Sequence, residues 1–284
     1  MTRLLMALAL TACLLTPQPA CRGAQRAGEA RPPSGDDQKK IEEVILGVRN
    51  MLYCDEPLET VLDEFVQEDD PLHGAVARLR AKDYGGALAA LKGLKGRGGP
   101  GTDMDYLLAL AAAYRGLGRL EEARDAARHL LSDAETRVVA QGWTALRELG
   151  EAPPPQRADE VLGVVVETGY DEGVAIIAGY ADGRARFFGS RGAGYIGDEQ
   201  PAPVQKAARA LTQAATRVVR KLNPGARRSY PERGTVRVTV LTPAGLRVAE
   251  GEKSRLEEES HPLSGVYLEA GKLFLELKKA YEDK

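Results

Sequence analysis

Apolar residues recur at three- and four-residue spacing up to Leu149, and the rhythm changes to dense or alternating runs beyond Pro155. Ile41, Val44, Ile45, Val48, Met51 and Leu52 predict an amphipathic helix over Lys39 to Tyr53. Asp55-Glu56-Pro57 restarts the chain, with the aspartate as cap and the proline in the first turn. Leu58, Val61, Leu62, Phe65 and Val66 line the helix that follows, and Asp69-Asp70-Pro71 restarts the chain again.

From Pro71 the helices fall into pairs. In the clearest stretch, about 103–136, Leu107, Leu110, Ala111 and Tyr114 share one helical face. Gly118 then breaks the helix, and Leu120, Ala123, Ala127, Leu130 and Leu131 share the face of the next. That order of large, small, aromatic, glycine and small resembles the tetratricopeptide repeat (TPR), in which small residues let two antiparallel helices approach closely. A second, degenerate copy spans about 71–98. Ala75, Tyr84, Ala87, Leu91 and Leu94 keep the register, whereas Arg78 stands where Tyr114 stands and Lys82 stands where Gly118 stands. Ala87 and Ala123 are equivalent, and the Gly96 to Gly101 loop absorbs a spacing slightly above the usual 34 or so residues. Val138, Val139, Trp143 and Leu146 predict one more helix over Glu135 to Leu149, closed by Gly150 and Pro153-Pro154-Pro155. The resemblance implies a groove for a peptide or partner helix, built by Leu107, Leu110, Ala111, Tyr114, Gly118, Ala123, Ala127, Ala87 and Tyr84. Arg115 and Arg124 would tune its specificity.

Residues 153–159 read as a Pro-rich linker. Val161 to Glu167 and Val174 to Tyr180 are β-branched runs, and Ala181-Asp182-Gly183 is a hairpin signal before the alternating strand Arg184 to Phe188. Gly192-Ala193-Gly194 turns into a short strand at Tyr195-Ile196, and a helix runs from Pro203 to about Leu222. Thr235 to Leu241 and Leu246 to Ala249 form a second strand pair, and a last helix spans Pro262 to about Tyr281. The predicted fold class is therefore α + (α+β). A TPR-like helical hairpin array over 39–152 precedes an antiparallel ββββ-α-ββ-α sheet over 160–284, with its helices packed on one face. This second half loosely resembles profilin-like and roadblock-like modules in layout alone, which implies sensing or homodimerisation. The hairpin from Val174 to Phe188 offers edges for pairing.

The amino terminus carries an address. Thr2-Arg3 and the apolar run Leu4 to Leu10, extending to Leu15, are too short for a permanent span, which needs about 20 apolar residues. They fit a signal peptide over 1–20. Leu10-Thr11-Ala12-Cys13 resembles the lipobox of bacterial lipoproteins. Cys21 is the alternative, with a fuller apolar segment before it and Gln18 where the motif takes leucine. The resemblance implies lipidation of Cys13 or Cys21 and a place in the bacterial envelope, inner or outer membrane. If Cys13 is the anchor, Cys21 and Cys54 can pair; if Cys21 is, Cys54 is a lone thiol. Residues 21–38, rich in Gly, Ala, Pro, Ser and charge, read as a flexible tether.

Composition narrows the chemistry. The formal charge is −2, with 39 basic and 41 acidic residues interspersed, which gives no basic stripe for nucleic acid. The three cysteines lack CxxC spacing, so neither zinc nor another metal site is expected. Gly189 to Gly194 is neither a phosphate loop nor a GxSxG elbow. Asp171-Glu172 has too few partners for calcium, and His73, His129 and His261 have no ligand or nucleophile spacing. Glu257-Glu258-Glu259 complements the positive end of the last helix. No cofactor is expected. The leading reading is a non-enzymatic, membrane-anchored scaffold for another envelope protein or peptide. The alternatives are an enzyme with a cryptic site around Asp171, Arg191 and His261, and a dimerisation or sensing module.

Overall fold

The computed structural model describes residues 47–66, 70–94, 104–171, 173–189, 194–196, 200–226 and 229–282. Residues 47–53 are helical (α1), followed by α2 (Leu58–Phe65), α3 (His73–Arg80), α4 (Tyr84–Leu94), α5 (Met104–Gly116), α6 (Leu120–His129) and α7 (Thr136–Glu148). Each helix from α3 to α7 packs on the next, and α2 packs on α5. Ala87, Ala111, Ala123 and Ala127 are fully buried at these contacts. A Cβ on Gly142 of α7 would come within 2.8 Å of Leu130 Cβ, so glycine sets the approach of α7 to the residues after α6.

Three of these helices end in the same turn. Lys82, Gly118 and Gly150 have φ of 58°, 73° and 78°. The following residue in each case donates to a carbonyl five residues back: Asp83 to Arg78 at 2.9 Å, Arg119 to Tyr114 at 2.9 Å and Glu151 to Leu146 at 2.8 Å. This is a Schellman ending, which favours glycine at the left-handed residue. Lys82 adopts it without being glycine, so α3 ends in this turn at the cost of local strain. Lys82→Gly is therefore expected to raise stability by about 1 kcal/mol, read as a higher urea midpoint with unchanged slope. Gly118→Ala should lower it.

The second half forms one antiparallel sheet in the order β4-β3-β2-β1-β6-β7-β5. Its strands are β1 (Gly163–Tyr170), β2 (Gly173–Tyr180), β3 (Ala185–Gly189), β4 (Gly194–Ile196), β5 (Asn223–Pro224), β6 (Thr235–Thr242) and β7 (Gly245–Glu252). The predicted order lacked β5. The predicted long helix ends early, as α8 (Ala202–Thr216), and a 3-10 turn at Val219–Lys221 leads into β5. Val218, Val219 and Leu222 stay buried across that change, which is why their periodicity reads as helix. The short α9 (Lys253–Leu256) and the long α10 (Ser264–Glu282) complete the chain. The hairpin of β2 and β3 lies inside the sheet, paired on both sides, and not at an edge.

Alternation along each strand feeds two cores. Val164, Val166, Ile177, Phe187, Val236, Val238 and Val240 pack with α8 and α10. Val165, Ile176, Ala178, Tyr180 and Leu241 face the other way and join the core of the helical array. The C-terminal helices do share one face, and the array covers the opposite one. Side chains fasten this junction. Tyr180 Oη donates to Leu52 O at 2.8 Å, and Arg147 Nη1 to Pro243 O at 2.7 Å. Thr136 N donates to Asp182 Oδ2 at 2.8 Å, so the β2–β3 turn caps α7. Residues 153–159 are also tied down: Ala244 N donates to Ala158 O at 3.2 Å, and Asp159 pairs with Arg247 at 3.1 Å.

A row of charges lies within the junction. Glu167, Arg237 and Glu250 are cross-strand neighbours on β1, β6 and β7. Glu167 is wholly buried, with Arg49 Nε of α1 at 3.0 Å and Arg237 Nη1 at 3.3 Å. Arg237 Nε reaches Glu250 at 2.7 Å, and its Nη1 donates to Ser229 O at 2.6 Å. The Arg49 guanidinium lies 4.7 Å from the ring centre of Tyr230 and 5.5 Å from that of Tyr53. Burial disfavours the charge on Arg49, and Glu167 restores it, leaving its pKa raised.

Candidate functional site: a groove in the helical array

A groove of about 400 Å3 opens between α2, α3, α4 and α5. Leu58, Leu62 and Val76 form an apolar, buried floor. Glu59, Arg80, Lys82 and Arg115 stand around it, with the first three exposed. The sequence explains the location. The left-handed turn at Lys82 brings Tyr84 back over α5, where a Cβ on Gly116 would collide with the Tyr84 ring at 2.3 Å. A larger residue at position 116 would push Tyr84 off this wall.

The rim is ordered by ion pairs. Arg115 Nη2 contacts Glu59 Oε1 at 2.6 Å and its Nη1 contacts Glu148 Oε2 at 3.3 Å. Glu148 also accepts the Leu58 N–H at 3.2 Å, so the first turn of α2 is capped from α7 instead of by Asp55. Burial pushes the Glu148 carboxyl up, and the Leu58 hydrogen bond and Arg115 oppose that shift. Glu59 is matched by Arg115, and Arg80 and Lys82 place two further basic side chains on the rim. The arrangement can hold an apolar side chain with polar or charged neighbours.

The residues singled out for packing or groove fall into two groups. Leu107, Ala111, Ala123, Ala127 and Ala87 are buried between helices. Leu110 and Tyr114 are half-buried, with the Arg119 guanidinium 4.7 Å from the Tyr114 ring centre, and Gly118 forms the exposed turn. Of that set only Tyr84 lines the groove, together with Arg115. Arg124 instead donates to Leu149 O, from Nε at 3.0 Å and from Nη2 at 2.7 Å, holding the end of α7. Sequence reasoning missed Glu59, Arg80 and Lys82. Their signal was the exposed, charged side of helices whose partners were unknown.

Other candidates find local uses. Trp143 is buried in the core. His129 Nδ1 lies 2.7 Å from Asp125 O, and His261 Nδ1 accepts the Leu263 N–H at 3.2 Å. Asp171 pairs with Arg233 at 2.8 Å on the surface. Among the described residues, no group of three or more His, Cys, Asp or Glu is arranged to hold a metal ion, and no helix is long and apolar enough to cross a membrane. Cys13, Cys21, the 21–38 tether, the Gly96 to Gly101 loop, Glu172, Arg191 and the Gly192-Ala193 turn lie outside the described residues. No family model, curated protein or solved structure matches this chain.

Proposed function

We propose that this chain is a non-enzymatic scaffold of the bacterial cell envelope, anchored by a lipid on Cys13 or Cys21 and binding another protein through TPR-like helices. The groove carries the reading: its apolar floor of Leu58, Leu62 and Val76, ringed by the charged groups of Glu59, Arg80, Lys82 and Arg115, suits a peptide segment with an apolar anchor and polar neighbours. The TPR resemblance is supported by the common turn at Lys82, Gly118 and Gly150, which repeats a helix ending at near-regular intervals. The anchor rests on the leader and its two cysteines alone.

The test is photocrosslinking in living bacteria from a probe at Leu79, which lines the groove. The reading expects a discrete adduct that Arg80→Glu with Lys82→Glu reduces at least 10-fold, with the protein still folded. An adduct unaffected by that charge reversal would remove the groove from the binding surface. Radiolabelled palmitate separates the anchors: Cys13→Ser or Cys21→Ser should abolish the label. Label in neither mutant nor the wild type would overturn the address.

A further inference from the structure

Among the described residues, exposed bulky apolar side chains are confined to one turn. Leu117 and Leu120, 42% and 44% exposed, are the only large hydrophobic residues in that state. They flank the left-handed Gly118 between α5 and α6. A lone exposed leucine needs no explanation, but two on one turn give a helical hairpin an apolar tip. The turn itself does not require them, since backbone groups close it, Arg119 N–H on Tyr114 O.

The tip lies beside the groove and is its chemical complement. Arg115 and Gly116, just before Leu117, form one lip of the groove. Leu79 and Tyr84 stand half-buried along its wall, and Arg80 and Lys82 are exposed on its rim. On the tip, Glu121 and Glu122 follow Leu120 directly at the start of α6. Their cations, Arg124 and Arg119, are near neighbours on the same surface, and such exposed pairs contribute little. Both acids can therefore turn to other cations at small cost.

We infer that the groove receives the α5–α6 turn of a second copy of this chain. Leu117 and Leu120 enter it, and Glu121 and Glu122 meet Arg80 and Lys82. The inference rests on the groove being a binding surface, as proposed above. Tip and groove adjoin at Gly116, so one two-fold axis beside that residue satisfies both copies at once. A second copy and a partner's peptide then compete for the same groove. One turn from each side makes a small contact, so the dimer should dissociate at about 10–100 µM.

Sedimentation equilibrium of the purified full-length chain tests this, over about 1–500 µM and in a mild detergent that keeps the apolar leader from associating. A reversible dimer is expected, and Leu117→Asp with Leu120→Asp should weaken it about 10-fold or more. Both leucines are exposed, and an acid suits the first turn of α6, so the variant keeps its fold. Arg80→Glu with Lys82→Glu should weaken the dimer likewise, and adding Glu121→Lys with Glu122→Lys should restore it. A chain that stays monomeric throughout overturns the inference. So does a dimer indifferent to the two leucines, which the leader or the sheet would then hold. Either result leaves the groove reading intact if the Leu79 probe still captures another protein in bacteria. A leucine-dependent dimer, with that probe capturing a second copy alone, upholds self-pairing and removes the separate partner.

Discussion

Glu167→Gln is expected to lower the unfolding free energy by about 3–5 kcal/mol, the loss that follows when a buried ion pair loses one partner. Glutamine keeps the shape but withdraws the negative charge that Arg49 and Arg237 share, whose side chains are 7% and 5% exposed. Arg237 retains Glu250 and Ser229 O, whereas Arg49, lying over the faces of Tyr53 and Tyr230, loses the carboxylate 3.0 Å from its Nε. Against a total stability of roughly 5–15 kcal/mol for a folded domain, this is a large fraction. Urea unfolding would measure it. Arg49→Met should cost less, because Glu167 keeps Arg237 and the methionine fills the space. A double-mutant cycle between positions 49 and 167 should then show strong coupling. Stability of Glu167→Gln within about 0.5 kcal/mol of wild type would mean that water reaches the pair and the junction is open there.

Alkaline pH should unfold the protein cooperatively between about pH 10.5 and 12. Burial pushes the phenols of Tyr53, Tyr180 and Tyr267 well above their ordinary value of about 10, and that of Tyr170 up to about 12. Glu167 adds to the shift at Tyr53, Cys54 at Tyr180 and Glu257 at Tyr170. The buried hydroxyls of Tyr170 and Tyr267 find no hydrogen-bond partner among the described residues. The sign follows from proton binding. Below pH 10 both states hold the phenolic protons and nothing changes. Above it the unfolded chain loses them while the folded chain does not, so stability falls as pH rises through the raised values. Each such group contributes a slope of roughly 1.4 kcal/mol per pH unit, and four together roughly 5. Tyrosinate absorbance at 295 nm and circular dichroism at 222 nm should therefore change together. A smooth tyrosinate titration near pH 10 with helicity intact would show these rings to be solvated.

Much of the fold is legible in residue order because it is local. The spacing of Leu107, Ala111, Ala123 and Ala127 marks two helices meeting through small residues, and Gly118 marks the turn between them. The Asp182-Gly183 hairpin and the alternation in β6 are read as directly. Lys82 shows the limit of that reading. Glycine is the least strained residue at such a turn, yet a lysine holds the same left-handed conformation, closed by the Asp83 N–H on Arg78 O. The end of α8 shows another limit, since Val218, Val219 and Leu222 are buried by a 3-10 turn that mimics helical spacing.

Pattern by itself determined most of the element types and the change from helices to strands beyond Pro153. Each of these depends on neighbours a few residues apart. Only the tertiary structure decided that the array and the sheet share a core, that Asp182 and Glu148 cap helices remote in sequence, and that Arg49 meets Glu167. It alone gathered Glu59, Arg80 and Arg115 around one groove. Those pairings join residues tens of positions apart, and a charged side chain carries no periodicity that names its partner. What selects the partner is the desolvation of both groups when two packed surfaces close.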